Sequence, residues 1–196
     1  MIIHDMQQGT VEWHEVRRGK FTASEFGDLF MGKSTKGYNN LINRVVFERM
    51  TGEIAESFSN GWTERGKALE PEAREAYEMQ TFNKVHQIGF MELDEWIGCS
   101  TDGLIGENGI VSIKCPKYST LIDYHLSGKI PPEYAWQMQG ELWISERAWC
   151  DFYVWHPKMK PLLKRMEWDE KSIIALTLEL GQAISAAKER MLKVGS

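Results

Sequence analysis

At 196 residues the chain is long enough for one well-buried domain, and no Pro/Gly/Ser-rich linker divides it, so a single domain over 1–196 is expected. A 42% apolar fraction argues against disorder, and a net charge of −5 excludes a uniformly basic, DNA-coating surface while allowing an acidic body with a local basic groove. Three cysteines without CxxC spacing read as reduced thiols; with no leader-like start and no apolar run of membrane-spanning length, a cytoplasmic protein without membrane contact is expected.

Met1 to Gly9 reads as short and extended. Arg17, Arg18 and Lys20 then place three cations within four positions, ahead of Thr22-Ala23-Ser24-Glu25, whose Thr-x-x-Glu spacing fits a capping box and predicts a helix to about Phe30. Cations beside a helix N-terminus suit a phosphate, although a solvated basic turn and an ordinary cap account for the same spacing. Gly32 to Asn40 reads as a polar loop and a candidate mobile segment. Leu41, Ile42, Val45, Val46 and Met50 form one apolar helical face that ends near Gly52. Ser59-Asn60 precedes a further helix, Gly61 to Met79, whose many charges form a solvated face. Glu70 stands apart there, because it follows Gly66-Lys67-Ala68-Leu69, where small residues let a helix approach a sheet closely.

Phe82 to Phe90 and Trp96 to Thr101 read as strands joined by a polar turn at Glu92 to Glu95. Cys99 to Pro116 then reads as a hairpin. One strand ends at Asp102, the Gly106-Glu107-Asn108-Gly109 cluster turns the chain, and Ile110 to Lys114 runs back. Tyr118 to Leu126 is a predicted helix, Pro132 opens another to about Ser145, and Ala148 to Trp155 and Leu163 to Trp168 are predicted strands. Ile173, Leu176, Leu180, Ile184, Ala187 and Met191 mark a long closing helix, Glu170 to Val194. This order describes an α/β layer protein with a mixed sheet.

Asp102 and Lys114 put a carboxylate and an ammonium at the ends of paired strands, with Glu70 as a second carboxylate and the Ile113 carbonyl as an oxygen donor between them. Those are parts that metal-assisted phosphodiester hydrolysis uses. Taken alone, a surface aspartate and a strand-end lysine explain the same two residues. His14 reads as packing beside Trp13, Cys99 and Cys115 as small buried hydrophobes, and Trp136, Trp143, Trp149 and Trp155 as mostly core.

Thr101-Asp102-Gly103 followed by Ile113-Lys114-Cys115-Pro116 resembles the PD-(D/E)xK nuclease signature. More narrowly, the chain is similar to the phage lambda-type exonuclease (YqaJ-like viral recombinase) family. Trp13-His14 through Arg17 with Thr22-Ala23-Ser24-Glu25, Gly66-Lys67 through Glu70 with Ala73-Arg74, and Gln137-x-Gln139 with Pro157-Lys158-Met159 match further blocks, in order, over nearly the whole chain. The resemblance implies a restriction-endonuclease-like α/β core, a mixed central β-sheet flanked by helices. It implies that Asp102 and the Ile113 carbonyl bind Mg²⁺, with Mn²⁺ as a substitute, and that Lys114 acts on the attacking water. Glu70 would position water or metal, Gln137 would hold the nucleophile side, and Arg17 and Ser24 would form a pocket for a 5′-phosphate. Asp94 is left unassigned. The implied activity is 5′→3′ digestion of one strand at double-stranded DNA ends, by a homotrimeric ring working with a phage single-strand annealing protein. A non-catalytic DNA-end-binding module and an endonuclease of the same superfold are the rival readings.

One position departs from the pattern. The residue two before the lysine is Glu or Asp in this group and here it is Ser112, neutral, shorter and a poor Mg²⁺ ligand. Weakened metal binding and slow cleavage are expected. An engineered inactive variant, a natural non-catalytic member and a site rescued by another carboxylate all fit, and the first is preferred because every other matched position is intact.

Overall fold

The computed structural model describes residues 1–55 and 61–195, with the backbone alone at 61–64 and 67. The helix start expected at Ser59-Asn60 lies outside the described residues. Strand β1 (Ile2–His4) leads to helix α1 (Val11–Arg17), whose N-cap Thr10 accepts the Trp13 amide at 3.3 Å. A two-residue strand β2 (Phe21–Thr22) follows, then a 3₁₀ turn Ala23–Glu25 and helix α2 (Phe26–Leu29). The capping box is present: the Glu25 carboxylate accepts the Thr22 amide at 3.2 Å and the Thr22 hydroxyl at 2.7 Å. Helix α3 spans Lys36–Thr51. It starts inside the stretch expected to be a loop, because Thr35 caps it by accepting the Tyr38 amide, and Gly52 ends it with φ 71°.

Helix α4 (Gly61–Thr81) is followed by strands β3 (Val85–His86), β4 (Phe90–Glu92), β5 (Ile97–Cys99), β6 (Gly103–Ile105) and β7 (Gly109–Lys114). Helices α5 (Tyr118–Ser127) and α6 (Pro132–Ser145), strands β8 (Trp149–Val154) and β9 (Leu162–Glu167), and helix α7 (Glu170–Gly195) complete the chain. The mixed sheet is hydrogen-bonded in two parts, β1-β4-β5-β2 and β3-β6-β7-β8-β9. In the first, β2 runs parallel to β5; in the second, β7 runs parallel to β8 from Gly109↔Trp149 to Lys114↔Val154.

This division corrects the expected hairpin. The strand before Asp102 pairs with β4 and β2, not with β7; the antiparallel partner of β7 is β6, which begins after Asp102 with Gly103 opposite Val111. The chain crosses between sheets at Thr101-Asp102. Gly103 makes the crossing possible, since a Cβ there would lie 2.0 Å from a Val85 methyl carbon.

Side-chain alternation along β7 and β8 divides the core in two. Ile110, Cys150, Phe152 and Val154 join the larger cluster with Met138 and Leu142 of α6 and with residues of α3 and α7. Val111, Ile113 and Tyr153 join the smaller one with Ala73 and Tyr77 of α4. By the same alternation Ser112 and Lys114 belong to the α6 face. Behind the α4 face, buried Asp151 accepts the Tyr77 hydroxyl at 2.7 Å and both arms of Arg165 at 2.8 and 2.9 Å.

Helix α6 is seated on the N-terminal region through Gly140, where a Cβ would come within 2.3 Å of the Phe26 ring. Gly181 in α7, by contrast, has no atom within 4 Å of its would-be Cβ. Helix propensity alone favours alanine at both positions by about 1 kcal/mol. In urea unfolding, Gly181→Ala is expected to raise stability by roughly that amount, whereas Gly140→Ala is expected to lower it by about 1–3 kcal/mol through overpacking. A stabilising Gly140→Ala would contradict the close approach of α6 to α2.

Candidate active site

The site is built at the end of β7. The Ile113 amide donates to the Asp102 carboxylate at 2.6 Å. In an extended strand the N–H and C=O of one residue point to the same edge, so the Ile113 carbonyl faces the edge on which Asp102 sits. One residue on, Lys114 is half-buried, with its ammonium 4.9 Å from the centre of the Tyr134 ring on α6. Burial alone would lower its pKa. The carboxylates of Asp102, Glu141 and Glu70, together with Tyr134, outweigh burial and hold it above the usual lysine value. Lys114 is therefore an ammonium at neutral pH.

Glu70 reaches the same place from α4. It interacts electrostatically with Lys114 and Cys115, and a Cβ at Gly66, one turn earlier, would lie 3.6 Å from the Cys115 carbonyl oxygen. Burial, helped by Glu70 and Asp102, pushes the Cys115 thiol up to about 12, so it is no thiolate nucleophile. Gln137 enters from α6, where its side-chain amide donates to Glu141 at 2.7 Å. The structure thus brings Glu70, Asp102, Ile113, Lys114 and Gln137 to one strand end. Ser112 lies in the same layer, 1% exposed, its hydroxyl without a hydrogen-bond partner. Among the described residues no three His, Cys, Asp or Glu side chains gather into a complete metal-ligand set. Asp94 is spent in a turn, accepting the Trp96 and Ile97 amides at 2.7 and 2.9 Å.

The most consequential residue that sequence reasoning missed is Glu141. It is 1% exposed, and its carboxyl is pushed up to about 8, first by burial and then by Asp102, with Lys114 and Gln137 pulling the other way. Its i, i+4 spacing from Gln137 was the available signal. Gln139, adjacent in the matched block, is engaged elsewhere. It donates to the Glu167 carbonyl at 2.8 Å and accepts the Asp169 amide at 3.1 Å, tying α6 to the β9–α7 junction.

Arg17 lines a separate cavity of about 250 Å³ with Trp13, His14, Arg18, Thr22 and Arg44. Its guanidinium lies 4.0 Å from the Trp13 ring centre and donates to the Ser100 hydroxyl at 3.2 Å. Burial lowers its pKa to about 10, which leaves it charged at neutral pH. The two carboxylates lining the cavity, Glu25 and Glu48, are bound by Arg44 at 2.7–2.9 Å. Ser24 is exposed and lies outside this lining, connected to it through a 3.3 Å contact with the Thr22 hydroxyl. The helix expected to start at Thr22 is a 3₁₀ turn followed by four residues, too short to contribute a substantial dipole. Attraction for an anion rests on the arginines. His14 packs edge-on against Trp13 at 4.8 Å, as expected.

The mixed α/β frame thus carries an Asp/Lys pair at the end of β7. The structure superposes on an alkaline exonuclease (LHK-Exo) from Laribacter hongkongensis with a TM-score of 0.88 and 30% identity, covering 95% of this chain and 96% of that one. The same exonuclease in complex with dAMP matches equally, at 30% identity and TM-score 0.88 over 94% and 96% of the two chains. A phage-related exonuclease from Haemophilus somnus 129PT shares the fold at TM-score 0.67 and 14% identity, over 92% and 99% of the two chains. Residues 12–148 match the YqaJ-like viral recombinase domain, and the chain belongs to that family. No curated protein is significantly similar to it.

The raised Glu141 carboxyl makes stability depend on pH. An unfolded glutamate titrates near about 4.3, so between there and about 8 the folded protein holds a proton that the unfolded chain has released. The associated stability is present below the lower value and lost as pH rises to the upper one. Glu141→Gln is therefore expected to gain stability over the parent, by on the order of 4 kcal/mol, between about pH 5 and about pH 9 in chelator. Thermal melts that show the same difference at both pH values would contradict this.

Proposed function

We propose that the chain is a metal-dependent 5′→3′ exonuclease that hydrolyses one strand of double-stranded DNA from its ends and leaves 3′ overhangs for phage-type recombination. The observation that carries this reading is the gathering of Asp102, Ile113 and Lys114 at one strand end, with Glu70 and Gln137 arriving from two helices. Family membership and the likeness to an alkaline exonuclease support it. That the relative takes dAMP, a deoxynucleoside monophosphate, agrees in chemistry with release of mononucleotides.

The donors fit Mg²⁺ or Mn²⁺. The Asp102 carboxylate and the Ile113 carbonyl are hard oxygen ligands, and Mg²⁺ keeps several waters and needs only one or two carboxylates from a protein. A cation bound there would neutralise phosphate charge and acidify water. The residues of the chain do the rest. Asp102 is held in place by the Ile113 amide, and the Lys114 ammonium, kept charged by its carboxylate neighbours, orients water and phosphate oxygens. Gln137 and Glu70 flank the nucleophile side. Arg17, whose described hydrogen bonds go to hydroxyls while Glu25 and Glu48 are bound by Arg44, receives the 5′-phosphate. Ser24 borders that pocket through Thr22. A homotrimeric ring and a partner single-strand annealing protein complete the proposal; an acidic exterior is compatible with cations facing DNA. Ser112 is what favours the rival, an end-binding module without catalysis.

Mg²⁺-dependent release of mononucleotides from linear duplex, and none from closed circles, is expected. Arg17→Ala is expected to slow digestion of 5′-phosphorylated ends by roughly 10- to 100-fold while barely affecting 5′-hydroxyl ends. Equal losses on both would remove the phosphate pocket; no hydrolysis of any DNA would favour the end-binding module.

A further inference from the structure

Among the described residues four buried side-chain atoms lack a hydrogen-bond partner: Arg74 Nε, His125 Nε2, Ser112 Oγ and Glu141 Oε2. The last two share one layer. Ser112 lies between Ile110 and Lys114 on the face of β7 that α6 covers, and it pairs in register with Phe152, on which Tyr134 of α6 packs at 5.5 Å between ring centres. Glu141 is two turns along α6 from Tyr134, and its carboxylate interacts electrostatically with Asp102 and Lys114. One of its oxygens is taken by Gln137 at 2.7 Å; the other has nothing. Burying a carboxyl oxygen unpaired is costly whether or not the group carries a proton, and an unpaired one beside a carboxylate and a lysine calls for a ligand.

We propose that Glu141 supplies from α6 the carboxylate that β7 lacks at Ser112, so that a divalent cation is held between Asp102, Glu141 and the Ile113 carbonyl. The proposal rests on the metal-dependent reading above. It makes Ser112 a consequence, not a lesion: a carboxylate at 112 would add another negative charge to Asp102 and Glu141 beside Lys114, which Glu70 also neighbours, whereas serine adds none. The ligand count stays within what Mg²⁺ or Mn²⁺ asks of a protein. Gln137, holding the other oxygen of Glu141, acts here as a positioning residue.

Binding of Mn²⁺ to chelator-stripped protein, followed by calorimetry and by the loss of the free-Mn²⁺ electron paramagnetic resonance signal, tests this without relying on activity. The parent is expected to bind, and Asp102→Asn and Glu141→Gln are each expected to weaken binding by at least about 10-fold. Moving the carboxylate back, in the double variant Ser112→Glu/Glu141→Ser, is expected to restore binding. Ser112→Glu alone is expected to give no gain in Mn²⁺ affinity. If Asp102→Asn loses the ion while Glu141→Gln keeps it, Glu141 is not a ligand and the metal-dependent reading survives without it. If the parent binds no Mn²⁺ with DNA present or absent, that reading falls and this inference with it. A folded double variant that fails to bind, or a Ser112→Glu protein that binds more tightly, overturns the exchange of positions.

Discussion

The 2.6 Å hydrogen bond from the Ile113 amide to the Asp102 carboxylate is the constraint on which the site depends. It forms where the chain leaves one sheet and enters the other, just before β6, so it pins the crossing as well as the carboxylate. Because an extended residue presents its amide and carbonyl to one edge, the same bond sets the Ile113 carbonyl beside Asp102. The side chain of Ile113 is meanwhile buried with Ala73 and Tyr77 against α4. A single residue thus couples the core behind the sheet to the donors at its edge.

Helix α6 is the second organising element. Gly140 lets it lie against Phe26, next to the segment that carries Thr22, Ser24 and Glu25, and Gln139 ties it to the start of α7. With those two attachments made, Tyr134, Gln137 and Glu141 face β7 and β8. The arginine-lined cavity and the strand-end cluster are therefore connected through one helix. Asp151, a buried carboxylate on the opposite face of β8, has both oxygens occupied by Tyr77 and by Arg165, whose side chain is itself exposed, which separates it in kind from Glu141 with its unpaired oxygen.

Local signals were readable where they are dictated by neighbouring residues. The Thr22-x-x-Glu25 box, the Gly106–Gly109 turn and the apolar stripe of α7 each depend on spacing within a few residues, and each is present. Reading failed where distant segments decide. Phe21 and Thr22 became a strand only because Ile97 and Gly98 lie alongside, and the segment before Asp102 joined the other sheet. The site showed the same contrast. Asp102 and Lys114 stood out in a motif-like stretch, whereas Glu141 looked like one more helical glutamate. Its significance comes from being buried against β5, β7 and β8, which no local spacing reveals.

The direct measurement is a crystal structure of the protein with a DNA end and Mn²⁺, the ion located by its anomalous scattering. The account predicts the ion at the end of β7, in contact with the Asp102 carboxylate and the Ile113 carbonyl. An ion bound elsewhere, with Asp102 still holding only the Ile113 amide, would contradict it.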